Sequence, residues 1–156
     1  MPALAPTRNA SQHAPGGSVL AFDFGEKRIG VAVGDRALGI AHPLATIAFD
    51  DNARRFEAVA ALIAEWRPVV LVVGLPAYLD GTEHELTRLC RKFAQRLQAR
   101  FGIDAVLVDE RLTSRAADAA LHESGVFGKR RKAALDQVAA QQILQTFFEM
   151  NRHAAT

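Results

Sequence analysis

One cysteine, one tryptophan and one tyrosine stand in 156 residues, and these scarcities exclude several kinds of protein. A lone thiol, Cys90, rules out an internal disulfide and any multi-cysteine metal site, as suits a reducing cytoplasm. Its neighbours Leu86, Leu89 and Phe93 mark it as a core thiol rather than a nucleophile. No apolar run nears the roughly 20 residues that span a bilayer, so no membrane role is expected. Residues 1–18, MPALAPTRNASQHAPGGS, hold one arginine and no apolar segment. They resemble neither a signal peptide nor an anchor and read as a disordered tail. A large charge surplus is missing too: 19 basic and 17 acidic side chains leave +2, which by itself says nothing about nucleic acid. The hydrophobic fraction of 49% is ordinary for a soluble protein, and residues 19–152 are expected to form one domain with a real core.

What is present is organised around Val19 to Gly34, VLAFDFGEKRIGVAVG. The apolar run Val19–Phe22 ends on Asp23, and a short polar link with Gly25 leads into a second β-prone run, Arg28–Val33. This predicts a hairpin with a carboxylate at its mouth. An ionised acid at the end of a buried strand costs several kcal/mol unless it is paired or holds a metal. Gly25 is expected to take a positive φ and bring backbone amides near whatever Asp23 holds. The plainer alternative is that Asp23 accepts those turn amides itself.

A third strand, Leu38–Ile47, carries Pro43 as an edge strand allows. Asp50 or Asp51 caps a helix whose apolar face is Phe56, Val59, Ala60 and Ile63, and Pro68 ends it. Val69–Val73 is apolar without alternation, the mark of a strand covered on both faces. Thr82 and Glu85 make a capping box for a helix that buries Leu86, Leu89, Cys90, Phe93 and Leu97 and stops at Gly102. Ala105–Val108 is another short buried strand, running into Asp109-Glu110-Arg111. Thr113 or Ser114 caps a short helix, and Gly125, Gly128 and the block Lys129-Arg130-Arg131-Lys132 predict a mobile basic loop. A last helix, Lys132 to about Asn151, sets Leu135, Val138, Ala139, Ile143, Phe147 and Met150 along one face. Right-handed crossovers place strand four parallel to strand one and strand five beyond it. The expected fold is α/β: a mixed five-stranded sheet of order 3-2-1-4-5, strand 2 antiparallel, with helices on both faces. That is the ribonuclease H-like architecture.

Three carboxylates fall where this topology converges. Asp23 ends strand one, Glu110 follows strand five, and Asp136 sits near the start of the last helix above Ala139, Ala140 and Ile143. Magnesium is held by one or a few carboxylates with water and phosphate oxygens, and two such ions can activate water and stabilise a leaving oxygen. Asp109 competes with Glu110, because adjacent strand residues point to opposite faces; the longer Glu110 better crosses the roughly 10 Å from strand five to strand one. Arg88, Arg91, Lys92, Arg96 and Arg100 follow one another with no acid between Leu86 and Gly102, and Lys129 to Lys132 form a second basic block. Both fit a phosphate-contacting surface, the plainer reading being solvated helix faces and a cationic loop. His42, His84 and His122 read as surface or packing residues, since a metal-bound water needs no histidine to become a nucleophile.

The blocks DFGEKRIGVAV, VVGLP with DGTE, VDERLTS and KRRKAALDQVAAQQIL occur in this order between about Val19 and Met150. The chain so closely resembles the YqgF family, also called RuvX or pre-16S rRNA nuclease and related to the Holliday-junction resolvase RuvC, that membership is the natural expectation. The resemblance implies a cytoplasmic bacterial enzyme that matures the 5′ end of 16S rRNA, some members being credited with resolving Holliday junctions. It implies catalytic and metal-ligating roles for Asp23, Glu110 and Asp136, with Mg2+ or Mn2+ as cofactor. It also suggests nucleic-acid contacts for Lys27, Arg28, Gly74, Arg111 and Thr113, to which the basic block Lys129, Arg130, Arg131 and Lys132 is added on charge. The chain departs from many superfamily relatives in having Val73-Gly74 where strand four often carries an acid, so the third ligand is drawn from strand five. Ala77-Tyr78 and His84 also depart from the family's usual Gly-Leu-Pro loop. The implied partners are precursor rRNA or branched DNA and ribosomal precursor particles, for a monomer or weak homodimer. Two other classes compete: a non-catalytic assembly factor that binds nucleic acid, and a kinase-like lobe, since an Asp-x-Gly hairpin also opens the actin and sugar-kinase folds. The lack of a second lobe argues against the latter.

Overall fold

The computed structural model describes residues 17–25, 27–76, 85–109 and 128–155, with side chains in the last helix described from 132 to 151. Strands β1 (Ser18–Phe24) and β2 (Ile29–Asp35) form the expected antiparallel hairpin, with Asp23 directly opposite Gly30. β2 then pairs antiparallel with β3 (Ile40–Ile47), whose register shifts between the Val31–Ala45 and Ala32–Pro43 pairs. Such an irregularity on an edge strand is where a proline, which has no N–H to donate, is tolerated.

Helix α1 (Asn52–Trp66) starts at Asp51, whose carboxylate accepts the Ala53 N–H at 2.8 Å. It closes on Arg67, left-handed at φ 45°, just before Pro68. β4 (Val70–Leu75) returns parallel beside β1, α2 (Glu85–Phe101) ends at Gly102 with φ 66°, and β5 (Ala105–Asp109) pairs parallel with β4. Helix α3 (Gly128–Ala155) completes the described chain. The sheet order is β3-β2-β1-β4-β5, as the sequence predicts. No helix among the described residues is long and apolar enough to cross a membrane. The expected tail through residue 16, the Thr82 cap and the helix after Thr113 lie outside the described residues.

The sheet separates two cores, and strand alternation sorts residues between them. Leu20 and Phe22 of β1, Ile29, Val31 and Val33 of β2 and Leu71 and Val73 of β4 pack under α1 and α2 with Phe56, Val59, Cys90, Phe93 and Leu97. Cys90 is fully buried, as the core reading requires. Val19, Ala21, Ala32, Ala41, Val72 and Val108 point the other way, against Ala140, Ile143, Leu144, Phe147 and Phe148 of α3.

The last helix differs from its expected form in two respects. It begins at Gly128, so the block Lys129 to Lys132 opens a helix instead of lying in a loop. Lysine and arginine are good helix formers and no proline intervenes, so one glycine is too weak a signal to hold the helix off. Its buried stripe is Ala139, Ala140, Ile143, Leu144, Phe147 and Phe148, and Met150, expected on that face, is 56% exposed. A row of glutamines one turn apart flanks the stripe. Gln137 Nε2 donates to Thr46 Oγ1 (3.1 Å), Gln141 Nε2 to the Ala41 carbonyl (3.0 Å) and Gln145 Nε2 to the Gly39 carbonyl (3.0 Å). Gln145 Oε1 accepts the Ala41 N–H at 3.2 Å. Those of Gln141 and Gln145 occupy backbone groups of Ala41 in β3 and of Gly39 just before it, on an edge strand that would otherwise offer such groups to another chain.

Candidate functional site

Asp23 shares a sheet face with Ala21, so it looks toward α3 from the C-terminal end of β1. Opposite it, Gly30 has no side chain, and that absence lets the helix in. A Cβ at Gly30 would collide with the Asp136 carbonyl, and one at Gly34, further along the same face, would meet the Ile40 carbonyl at 2.5 Å and the Phe148 ring at 2.8 Å. With Ala32 between them, these glycines form a shallow lane in β2 that brings Asp136 down beside Asp23.

Arg28, just before β2, reaches up to this acid. Its Nε donates to Asp136 Oδ2 at 2.6 Å, with the arginine side chain 37% exposed and the aspartate 16%. Charge-assisted bonds of this length are among the stronger protein hydrogen bonds and fix the carboxylate's orientation. The hairpin that carries Arg28 is closed by the Gly25 N–H donating to the Arg28 carbonyl at 2.9 Å. The expectation for Gly25 is corrected here: its φ is not positive and its amide belongs to the turn. Glycine suits the position because a Cβ would stand 2.7 Å from the Arg28 carbonyl oxygen.

Asp23, Gly25, Lys27, Arg28 and Asp136, with Phe24 and Leu86, line one open cavity of about 400 Å³. Two carboxylates therefore meet two cations at the C-terminal end of the sheet. Hard divalent cations such as Mg2+ take one or two protein carboxylates and complete their shell with water and phosphate oxygens, so this donor set in an open cavity fits such an ion. Arg28 engages Oδ2 of Asp136, and among the described residues none bonds its Oδ1, which can serve as a metal donor.

Of the other residues singled out in the sequence, Gly74 is buried in β4 just past the Val73–Phe22 pair, on the α3 face beside Asp23. Lys27 and Lys132 are exposed. Asp109 lies at the end of β5 on the opposite face, two residues beyond Leu107, which packs in the core under α2. By strand alternation it is on the face away from Asp23. Glu110, Arg111 and Thr113 lie outside the described residues, as do the side chains of Lys129, Arg130 and Arg131. His42 is exposed on β3, and no histidine among the described residues lines the cavity. Sequence reasoning overlooked Gly30, although an isolated glycine within a strand is a recognisable sign of close backbone approach. It also gave Arg28 to phosphate alone, without foreseeing its bond to Asp136.

A 3-2-1-4-5 sheet with an acid ending its first strand and a second acid delivered by the last helix defines a ribonuclease H-like domain. Two solved structures share this fold: RuvC of Thermus thermophilus bound to a Holliday junction (TM-score 0.54, 15% identity, 88% of this chain and 96% of that one) and the fowlpox virus resolvase with junction DNA (TM-score 0.53, 11% identity, 86% and 98%). The chain belongs to the RuvX family, described as Holliday junction resolvase, whose model matches residues 17–150. Its relatives include proteins named "Putative pre-16S rRNA nuclease" from Methylobacillus flagellatus, 61% identical over 85% of this chain and 91% of the relative, and from Neisseria meningitidis, 57% identical over 87% and 90%.

Proposed function

We propose that this protein is a divalent-metal-dependent endonuclease that trims the 5′ end of precursor 16S rRNA in the bacterial cytoplasm. The observation that carries the proposal is the joining of Asp23 and Asp136 in one open cavity beside Lys27 and Arg28. The names of relatives more than half identical along most of the chain supply the substrate.

In this reading Asp23 and Asp136 hold Mg2+ or Mn2+, and Glu110 completes the set from the end of β5. A metal so held supplies a water nucleophile at neutral pH and charge for the leaving oxygen. The protein's own side chains do the remaining work. Arg28 holds Asp136 in position through Nε and presents its outer nitrogens to the cavity, where a phosphodiester oxygen is the complementary partner. Lys27, exposed at the rim, contributes a point charge to the same phosphate. Arg111, Thr113 and the basic start of α3, Lys129 to Lys132, extend the contact along the backbone, and Gly74 leaves room beside Asp23. Contacts of this kind hold phosphates without reading sequence, so selection among precursor particles rests on the shape of the RNA.

The family description favours a second substrate, the four-way DNA junction. Cutting two symmetric strands of a junction would call for two copies of the chain, whereas trimming one RNA end is work for a monomer. The test is cleavage by wild type and by Asp23→Asn and Asp136→Asn, with magnesium or manganese, on a precursor 16S 5′ leader and on a mobile junction. Either substitution should cut turnover by about 10²- to 10³-fold, the scale of removing one electrostatic stabiliser, while binding is retained. Cleavage of the junction alone would transfer the activity to DNA. Binding of either substrate with no cutting by wild type would identify a non-catalytic assembly factor.

A further inference from the structure

A second cavity, of about 330 Å³, opens on the other face of the sheet, between the start of α1 and the middle of α2. Arg55, Lys92 and Arg96 line it together with Phe24, Phe93 and Asp50. Lys92 and Arg96 lie one turn apart on α2 and point into solvent at its mouth, whereas Arg55 is only 8% exposed. Most of the side chain is covered, and the guanidinium makes few contacts with the protein. Its Nε donates to the Phe49 carbonyl at 2.8 Å and its carbon lies 5.9 Å from the centre of the Phe24 ring. Among the described residues the outer nitrogens of Arg55 find no acceptor, and neither Lys92 nor Arg96 has a carboxylate within ion-pair distance. Among the described lining residues Asp50 is the one acid, which leaves two positive charges in excess.

The outer nitrogens of Arg55 are not sealed off without a partner but open to the cavity, and a guanidinium turned toward a pocket with two further cations is placed to take an anion from outside. The pocket also offers aromatic surface. Phe24 contributes to both cavities, so the pocket adjoins the acid site across a single residue at the end of β1. We infer that Arg55, Lys92 and Arg96 form a separate phosphate-binding pocket that grips the substrate strand outside the point of cleavage, taking one phosphodiester while a neighbouring base lies against Phe24 or Phe93. The strand would pass from the acid site around the end of β1 to the α1–α2 face. This rests on the reading of the protein as a nuclease, and it adds a binding site to it.

The test is binding of a fluorescein-labelled single-stranded RNA, long enough to span both cavities, to the full chain in metal-free buffer, with affinity followed against salt. Lys92→Ala and Arg96→Ala should each weaken binding about two- to fivefold, the worth of one exposed ion pair, and lower the salt slope by about 0.7. Arg36→Ala, which removes the same charge from the turn at the other end of β2, should leave the slope unchanged. Arg55→Met, if its far-UV spectrum shows it folded, should cost about tenfold or more, as loss of a charged hydrogen-bond donor does. Asp50→Asn should tighten binding.

Lys92→Ala and Arg96→Ala that bind RNA like Arg36→Ala would overturn the pocket while leaving metal-dependent cleavage by wild type intact. Loss of affinity in these variants in a protein that cuts nothing would uphold the pocket and refute the nuclease. Adenosine monophosphate that binds wild type and not Arg96→Ala, with RNA affinity unaffected, would make the pocket a site for a free nucleotide and overturn the strand assignment.

Discussion

At the scale of single residues, the side chain whose placement bears most on the proposed acid site is Arg28. It is not one of the carboxylates, yet its Nε bond to Asp136 ties it to them while its outer nitrogens remain available to the proposed phosphate. A lysine there would keep the charge but not the side-on geometry, because an ammonium has no fork to share between a carboxylate and a phosphate. Arg28→Lys should therefore lower kcat on the RNA leader by about 10- to 100-fold, as loss of an orienting partner of a metal ligand does, with little change in KM. Arg28→Ala should raise KM as well. Steady-state kinetics on the two variants separates these effects, and a kcat for Arg28→Lys equal to wild type would show that Asp136 needs no such positioning.

At the scale of elements, the site depends on how closely α3 lies on β2. Gly30→Ala places a methyl group against the Asp136 carbonyl, and the helix must rise to admit it. The expected cost is about 1–3 kcal/mol in urea unfolding, the range for overpacking, together with a loss of cleavage, since Asp136 rises with the helix. Unchanged activity in Gly30→Ala would mean that the acid tolerates the shift. The sequence revealed the two carboxylates of this site and the elements carrying them, because an acid ending an apolar run and an acid on a small-residue stripe both conflict with simple burial patterns. It revealed the order of the sheet because crossover handedness leaves few arrangements. It did not reveal the pairing of Gly30 with Asp136, which depends on the register of a helix over a strand more than a hundred residues away. The start of α3 was missed for a local reason. A glycine followed by four cations reads as a loop until tertiary packing is known to continue the helix. Arg55 escaped notice because nothing in its neighbours distinguishes a buried arginine from the exposed Arg54 beside it.

At the scale of the whole molecule, one sheet is the shared wall of two cores, so neither core can melt without exposing the other's strands. Trp66, the only tryptophan, packs on the α1 and α2 side, while Ile143 is fully buried on the α3 side. Ile143→Ala should destabilise the protein by about 2–5 kcal/mol, and Trp66 fluorescence should report the same shifted urea midpoint as far-UV circular dichroism despite lying across the sheet. Two separate midpoints would show that the faces unfold independently. The grading of α3 against this wall has a consequence of its own. From its acid end the buried stripe runs from Asp136 through alanines to Ile143 and Leu144 and then to Phe147 and Phe148, so the helix is a wedge with its thin end at the candidate site. The glutamine rungs repeat every turn, and a helix displaced by one turn, about 5.4 Å, could re-form two of the three. The wedge could not, because a shift toward the acid end brings bulkier side chains over slots cut for smaller ones, and a shift the other way leaves cavities under smaller ones. The hydrogen bonds would still hold a shifted helix, though less fully, and the gradation of side-chain size gauges where along the sheet Asp136 comes to rest.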